Sequence, residues 1–357
     1  MLRMVGLLCS ASARSRARSL LRLAAEPPLA SVARPRRPGV DNEGGKLVPD
    51  CHRFVGVTAP RQILPGCTYL ITRRCTQRQF LLTPSNRTNR NVEYCLALAA
   101  ERTGVLLHAV CVMSNHWHGV VTDPDARLPQ FLEVFHKLLA KAQNASFERC
   151  ENLWSSDKTS MVLLVSEQDV LDKMAYTLAN PTAAGLVRAP SEWPGVMSRD
   201  FRECREIEMP DMFFDEDGEL PDSVTLEFTR PPILRSLSDV DLRSALAQKV
   251  ADLVRRAREE MLANGKSFLG REAILRQSFG SAPATKPAGT AINPRVACKS
   301  PSLRVAAISR LQLFLRAYRT ALLQWRGGDR EVMFPAGTYA KRVFDYVRCV
   351  AHAPGFV

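Results

Sequence analysis

One stretch in the first half of the chain, residues 106–122, constrains the fold more than any other. Leu106–Met113 is a mostly apolar run, His116–Thr122 is a second run with strand character, and only Ser114-Asn115 separates them. Two such runs joined by two turn-forming residues are typical of a β-hairpin. The fold must therefore be built around an antiparallel strand pair at this position.

The elements on either side of the hairpin follow a regular order. The sequence predicts strands at Cys67–Arg73 and Met161–Val165, and helices at Asn91–Thr103, Leu128–Ser146 and Ser166–Ala179. Gly104 follows the first helix as a stop signal, Ser166 is the N-cap of the third, and Pro181 is expected to end it. The order β-α-β-β-α-β-α matches the ferredoxin-like, or RRM-like, pattern. We therefore predict an α+β fold in which an antiparallel sheet carries helices on one face.

Charge is distributed unevenly along the 357 residues and divides the chain into segments. Residues 52–200 hold 16 basic and 13 acidic residues, residues 201–227 hold two and ten, and residues 228–357 hold 22 and nine. We predict a folded domain at 52–200, an acidic linker at 201–227 and a basic, mainly helical C-terminal extension at 228–357. The extension is the part expected to attract a polyanion, although a solvated basic surface is the alternative.

The first 51 residues are expected to be disordered and basic. The first 40 residues contain eight Arg and one Glu. Such a composition is typical of a mitochondrial transit peptide. A disordered basic arm, or translation from a start codon placed too far upstream, gives the same pattern, so these alternatives stay open.

The cysteines and the hydropathy pattern indicate the compartment. The ten cysteines are scattered and form no CxxC pair, which favours reduced thiols and a cytoplasmic protein. No apolar run approaches the ~18 residues of a membrane-spanning helix. We therefore expect a soluble protein without a membrane partner.

His116 and His118 are the first candidate site residues. Side chains at i and i+2 of a strand point to the same face of the sheet. Both imidazoles can therefore reach one metal ion, and imidazole is a common metal ligand. By itself an HxH on a strand is a weak signal, because most histidines are core or surface residues. A structural zinc site is disfavoured because no cysteine is placed beside the histidines.

Tyr176 and Asn180 form the second candidate pair. They lie at i and i+4 of a predicted helix, so they share one face. The amide oxygen of Asn180 is a suitable ligand for a hard cation such as magnesium. Taken alone, the pair is better explained by a packing tyrosine and a pre-proline helix end.

Together the two motifs resemble a known family. VMSNHWHGVV at 112–121 is similar to the MPNHVHLLV signature of single-tyrosine HUH transposases, and YTLANPTAAGLV at 176–187 resembles the YIHLNPVRAGLV segment of their REP-associated branch. Trp193-Pro194 and the opening Arg61–Arg74 also fit, so the resemblance covers about residues 60–200. The departures are Ser114 in place of the usual proline, a bulky Trp117, and Thr182-Ala183 in place of Val-Arg.

The resemblance implies a fold, an activity and a set of site residues. The sheet would be an HUH palm, with His116, His118 and Asn180 as ligands of Mg²⁺ or Mn²⁺ and Tyr176 as the nucleophile. The enzyme would nick and rejoin single-stranded DNA through a 5′-phosphotyrosine, at hairpin-forming palindromic repeats, and so act in DNA transposition. Such a protein would be associated with the nucleoid and would act as a monomer or a homodimer.

Four basic residues are candidates for phosphate contacts. Arg73 and Arg74 close the first predicted strand, and Lys137 and Lys141 share one face of the second helix. Two other functions stay open at this point. The chain could be a DNA-binding protein of the same fold without catalysis, or a metal-dependent phosphodiesterase that uses activated water in place of a tyrosine.

Overall fold

The computed structural model describes residues 59–213, 218–284 and 294–352. The described residues from Gln62 onward form one compact unit. The basic N-terminal segment predicted at 1–51 lies outside the described residues.

The described residues contain seven strands and seven α-helices. The strands are β1 (Cys67–Arg74), β2 (Leu106–Met113), β3 (His116–Asp123), β4 (Ser160–Leu164), β5 (Cys204–Glu208), β6 (Ser223–Glu227) and β7 (Val296–Ala297). The helices are α1 (Asn86–Thr103), α2 (Leu128–Ser146), α3 (Glu167–Ala183), α4 (Asp239–Ala263), α5 (Arg271–Leu275), α6 (Pro301–Arg326) and α7 (Ala340–Phe344). Short 3₁₀ turns lie at Thr76–Arg78, Pro190–Glu192, Asp211–Phe213 and Pro232–Leu234.

The main sheet has five strands in the order β2-β3-β1-β4-β7. β1 pairs antiparallel with both β3 and β4, and β2 pairs antiparallel with β3. This is the ferredoxin-like arrangement, in which each connecting helix links two parallel strands that are separated by a third. The predicted α+β fold and the predicted hairpin are confirmed. β7 then joins the edge of the sheet parallel to β4, which makes the sheet mixed.

The two faces of the sheet are covered by different helices. Trp117 of β3 packs edge-on against Phe135 of α2, and α1 packs against α2, so the two connecting helices share one face. Because side chains alternate along a strand, Val120 points to the other face. There it belongs to a core cluster with Met174 of α3 and Leu242 of α4. Helices therefore lie on both faces of the sheet, and the prediction of helices on a single face is wrong in this respect. α1 and α2 cover one face, and α3 with α4 covers the face that carries His116 and His118.

α1 begins one turn before its predicted start at Asn91. Ser85 is the N-cap, and its side chain accepts a hydrogen bond from the backbone N–H of Thr88, which satisfies one of the free donors at a helix start. Gly104 ends the helix in the left-handed conformation, with φ 72°, a backbone geometry that glycine adopts without strain.

α3 continues past Pro181, so the predicted helix end at this proline is wrong. Proline lacks an N–H and removes one helical hydrogen bond, but the bonds on either side remain. Ala184 N–H donates to the Asn180 carbonyl at 2.9 Å, and Leu186 N–H donates to the Pro181 carbonyl at 3.0 Å. Asn180 is consequently an interior helix residue, in register with Tyr176 one turn earlier.

Several described segments beyond residue 200 pack against the sheet or its helices. Within the acidic segment 201–227, β5 and β6 form a two-stranded antiparallel sheet. The extension contributes α4, which packs along α3, and β7 at the sheet edge. Phe314 and Tyr318 of α6 are buried in a separate cluster with Phe334. The domain boundaries themselves stay a prediction.

Candidate functional site

His116 and His118 lie side by side on β3, as the strand period predicts. Their ring centroids are 4.8 Å apart and the rings are perpendicular. His118 is buried, with 6% of its surface exposed, whereas His116 is partly exposed. Both side chains occupy the face of the sheet that α3 covers.

Each histidine has one ring nitrogen fixed by a neighbouring side chain. Nδ1 of His118 is 2.8 Å from Oγ1 of Thr72, which pairs with His118 across β1 and β3. Nδ1 of His116 is 2.6 Å from Oδ1 of Asn115. An amide oxygen only accepts, so His116 donates its Nδ1 proton and Nε2 keeps its lone pair. Such second partners orient imidazoles for binding through the other nitrogen.

Both imidazoles are neutral at neutral pH. Burial, followed by the nearby Arg74 and Arg78, lowers the pKa of His116 to about 4. Burial also lowers the pKa of His118 well below its usual value, with further contributions from His116, Arg74 and Lys173. A neutral imidazole is the form that binds a metal ion. At neutral pH, neither ring would have to lose a proton before it could bind a metal ion.

Tyr176 of α3 meets this histidine pair. Its ring centroid is 5.5 Å from that of His118, with the two planes at 81°. The tyrosine is 40% exposed, so part of the residue is accessible from solvent. Lys173, one turn earlier on α3, places its ammonium group 5.4 Å from the centre of the Tyr176 ring. The sequence-predicted partners Tyr176, His116 and His118 are therefore brought together.

Asn180 lies one helical turn after Tyr176 and is 8% exposed. Since residues at i and i+4 share a helix face, its amide is on the same side of α3 as the tyrosine, and α3 packs against β2 and β3. Within the described ranges no cluster of three or more His, Cys, Asp or Glu side chains could hold a metal ion.

The four predicted phosphate-binding residues are not brought together. Arg74 is exposed and pairs with His116 across β1 and β3, on the histidine face. Arg73 points to the opposite face, where it donates hydrogen bonds to the carbonyls of Ser155 and Asp157. Lys137 and Lys141 are on α2, which also covers the opposite face. Only Arg74 lies beside the histidines.

Three site residues were missed at the level of sequence. Lys173 could have been found, because it lies three residues before Tyr176 on the same helix face. Thr72 could have been found only with the register of β1 against β3. Arg78 sits in a turn with φ 60°, a left-handed conformation uncommon outside glycine, and nothing local places it near His116.

Trp117 anchors the segment between the two histidines. Its indole N–H donates to Nε2 of His136 at 3.1 Å, and its ring packs on Phe135. A Cβ on Gly119 would lie 2.6 Å from the Trp117 ring, so the glycine makes room for the indole. The bulky residue that departs from the family signature is thus accommodated on the face opposite the histidines.

Comparisons with known proteins find only distant likenesses. No protein-family profile and no curated sequence matches the chain. A solved REP-associated tyrosine transposase bound to a REP hairpin is 18% identical, over 39% of this chain and 81% of that chain, with a TM-score of 0.34. A candidate transposase from Deinococcus radiodurans R1 is 17% identical, over 33% and 88%, with a TM-score of 0.23. Likenesses this distant do not establish a family, so the site is interpreted from its own geometry.

Proposed function

We propose that this chain is a single-tyrosine HUH transposase that nicks and rejoins single-stranded DNA through Tyr176. The observation that carries the proposal is the contact of Tyr176 with His118, at 5.5 Å between ring centroids, beside a second histidine. An exposed phenol next to two neutral imidazoles, one buried and one partly exposed, combines a nucleophile with a metal-binding pair. This combination suits phosphoryl transfer by covalent catalysis.

The proposed reaction exchanges one phosphoester bond for another. Oη of Tyr176 attacks the phosphorus, the new O–P bond forms, and the bond from phosphorus to the 3′ oxygen breaks. The phenol proton is released to the solvent that reaches the ring, and the 3′ oxygen takes up a proton. A 3′-hydroxyl of another strand can then reverse the step, so rejoining requires no ATP.

His116, His118 and Asn180 would hold the divalent metal, Mg²⁺ or Mn²⁺. The donor set fits, because both imidazoles are neutral and held through Nδ1, which leaves Nε2 for a ligand. When bound, the metal would polarise the scissile phosphate and stabilise the charge that builds up on its oxygens. Asn115 and Thr72 keep the two rings oriented for this role.

The proposed substrate is a flexible single strand, because a phosphate must reach a tyrosine that lies against the sheet. The sequence resemblance favours a hairpin-forming palindromic repeat. Arg74, exposed beside His116, is positioned to bind a phosphate near the reacting one. One copy of the chain supplies Tyr176 and both histidines, so a monomer contains the proposed nucleophile and both imidazoles.

The test uses a labelled single-stranded hairpin oligonucleotide with Mg²⁺ or Mn²⁺. We expect a covalent protein–DNA adduct that survives denaturing electrophoresis and disappears in Tyr176→Phe. Tyr346→Phe is the matched control, because Tyr346 is an exposed tyrosine away from the histidines; this variant should still form the adduct. Cleavage that survives in Tyr176→Phe would point to activated water and overturn the tyrosine mechanism. Binding by the wild-type protein without cleavage would overturn the enzymatic proposal.

A further inference from the structure

A cleft opens on one side of Tyr176, and the histidines do not line it. It has a volume of about 530 Å³ and is formed by α3, α4, β7 and the first turn of α6. Three of these four elements lie beyond residue 228. The C-terminal extension therefore builds most of a cavity that begins at the proposed nucleophile.

The cleft is lined by five cationic and three acidic side chains. Asp172 binds two of the cations: its Oδ1 is 2.6 Å from the ammonium of Lys249, and its Oδ2 pairs with Lys299. Burial alone would raise the pKa of Asp172, but hydrogen bonds from both lysines outweigh it and lower the pKa. One carboxylate thus faces two ammonium groups.

The other two acids are also engaged. Asp169 accepts hydrogen bonds from the Ser166 cap and, at 2.8 Å, from the backbone N–H of Lys299. Asp252 pairs with Arg255, which does not line the cleft. The five cations of the cleft therefore outnumber its three carboxylates, and the cleft has an excess of positive charge.

Three cations in the cleft have no carboxylate partner within the described part of the chain: Lys173, Arg256 and Arg304. Lys173 lies over the Tyr176 ring. The guanidinium of Arg304 donates a hydrogen bond from Nη1 to the carbonyl of Cys298 at 3.2 Å, which holds the guanidinium beside the cleft. Arginines and lysines without carboxylate partners are the groups that bind phosphate oxygens.

We infer that this cleft binds the phosphate backbone of the strand that becomes attached to Tyr176. Among the described residues that line it, Tyr176 is the only aromatic side chain, so the cleft suits backbone phosphates better than stacked bases. After attack, the first phosphate is bonded to Oη of Tyr176, and the strand continues from there in the 3′ direction. Because Tyr176 lines the cationic cleft, the strand attached to Oη can continue into it.

The inference rests on the proposed function and adds a role for the C-terminal extension. The sheet supplies the histidines, and α3 supplies the tyrosine. Arg256 of α4 and Arg304 of α6 would bind the first phosphates on the 3′ side of the scissile bond. The extension would thereby hold the covalently attached strand while the free 3′ end is exchanged.

The experiment measures binding in a Tyr176→Phe background, where no covalent step interferes. Fluorescence anisotropy with a labelled single-stranded oligonucleotide gives the affinity as a function of salt concentration. Removing two phosphate contacts from a single strand should reduce the slope of log K against log salt by about 1.4. We therefore expect Arg256→Ala/Arg304→Ala to bind more weakly and with this smaller slope. Lys266→Ala is the control, because Lys266 is an exposed cation that does not line the cleft.

A second experiment identifies the phosphates that Arg256 and Arg304 contact on the DNA strand. Neutral methylphosphonate groups at the first two positions 3′ of the scissile bond should remove the difference between the parent and the double variant. The same groups on the 5′ side should leave the difference intact. If the 5′ groups remove it, the assigned strand direction is wrong.

The outcomes separate this inference from the proposed function. A double variant that binds with the affinity and salt slope of Lys266→Ala would overturn the cleft assignment, whether or not the wild-type protein forms an adduct. Conversely, an absent adduct in the wild-type protein would overturn the nicking proposal while the binding experiment still reports on the cleft. Thermal unfolding of each variant shows that a loss of binding is not a loss of fold.

Discussion

The ring of Tyr176 stands nearly perpendicular to the ring of His118, with 5.5 Å between their centroids. The two residues come from different elements: α3 follows β4, whereas His118 is the third residue of β3. Their contact depends on α3 crossing the face of the sheet that α1 and α2 leave free. The geometry of the site is therefore a consequence of the side of the sheet on which α3 packs.

Thr72 should control metal binding through His118. Thr72→Val keeps the shape of the side chain but removes the hydroxyl that is 2.8 Å from Nδ1. Loss of such a second partner typically weakens metal affinity by about 10–100-fold. Titration with Mn²⁺, followed by calorimetry or electron paramagnetic resonance, measures the change.

Thr68→Val is the control for this experiment. Thr68 is on the same strand and forms a buried hydrogen bond with Thr122 at 2.8 Å, without contact to either histidine. It should lower stability while leaving the Mn²⁺ affinity unchanged. Equal affinities for the Thr72 and Thr68 variants would show that Thr72 does not position the ligand.

Much of the fold could be predicted because its signals are local. Each signal predicts the structure of the residues next to it. Examples are the residue patterns of β2 and β3, the two-residue turn between them, and Gly104 after α1. The boundary of α3 could not be predicted in the same way. Pro181 is a strong local stop signal, yet tertiary packing and the hydrogen bonds around it keep the helix intact to Ala183.

The candidate site likewise contains residues that local patterns predict and residues that they do not. The pairs His116–His118 and Tyr176–Asn180 follow from the periods of a strand and a helix. The phosphate contacts do not, because charge alone carries no information about the face of a sheet. Arg73 and Arg74 are neighbours in sequence, but the alternation of β1 sends them to opposite faces. Lys137 and Lys141 are likewise separated from the histidines by the sheet.

Arg73 and Arg74 should therefore differ in their effects on DNA binding. Arg74→Ala is expected to weaken binding of a single strand and to reduce the salt slope by about 0.7, the value for one phosphate contact. Arg73→Ala should leave the slope unchanged and lower the free energy of unfolding, because it loses its hydrogen bonds to Ser155, Asp157 and Thr159. Anisotropy at several salt concentrations and urea unfolding measure the two effects. A smaller salt slope in the Arg73 variant would contradict the assignment of this residue to the opposite face.

Gly119 should tolerate no side chain. A Cβ at this position would lie 2.6 Å from Cζ3 of Trp117, and the indole is fixed by His136 and by Phe135. Overpacking of this kind typically costs about 1–3 kcal/mol, so Gly119→Ala should shift the urea midpoint by a corresponding amount. Gly280→Ala is the control, because its Cβ would meet only Ser278 Oγ at 3.9 Å. Equal midpoints for the two variants would mean that Trp117 moves aside without cost.

His108 should make the fold sensitive to mild acid. The ring is 1% exposed and is bonded through both nitrogens, to Thr122 Oγ1 and to the Thr229 carbonyl, each at 2.7 Å. Burial lowers its pKa from 6.5 to about 4, against a smaller opposing effect of the Thr229 carbonyl. The unfolded chain therefore takes up a proton as the pH falls below about 6.5, whereas the folded chain does not do so until about pH 4. The stability that the neutral ring contributes is complete above pH 6.5 and is lost through this interval.

The size of the stability loss follows from the pKa shift of His108. One unit of pKa corresponds to about 1.4 kcal/mol, so His108 alone should account for a loss of about 3 kcal/mol between pH 6.5 and pH 4. Desolvation also lowers the pKa values of His116, His118 and His136, and they should add to the total. His108→Gln isolates the contribution of this residue, because glutamine is uncharged throughout the interval and can still donate and accept. We expect its free energy of unfolding, measured with urea at a series of pH values, to fall less steeply than that of the wild-type protein. Parallel curves would show that His108 becomes protonated in the folded protein as readily as in the unfolded chain.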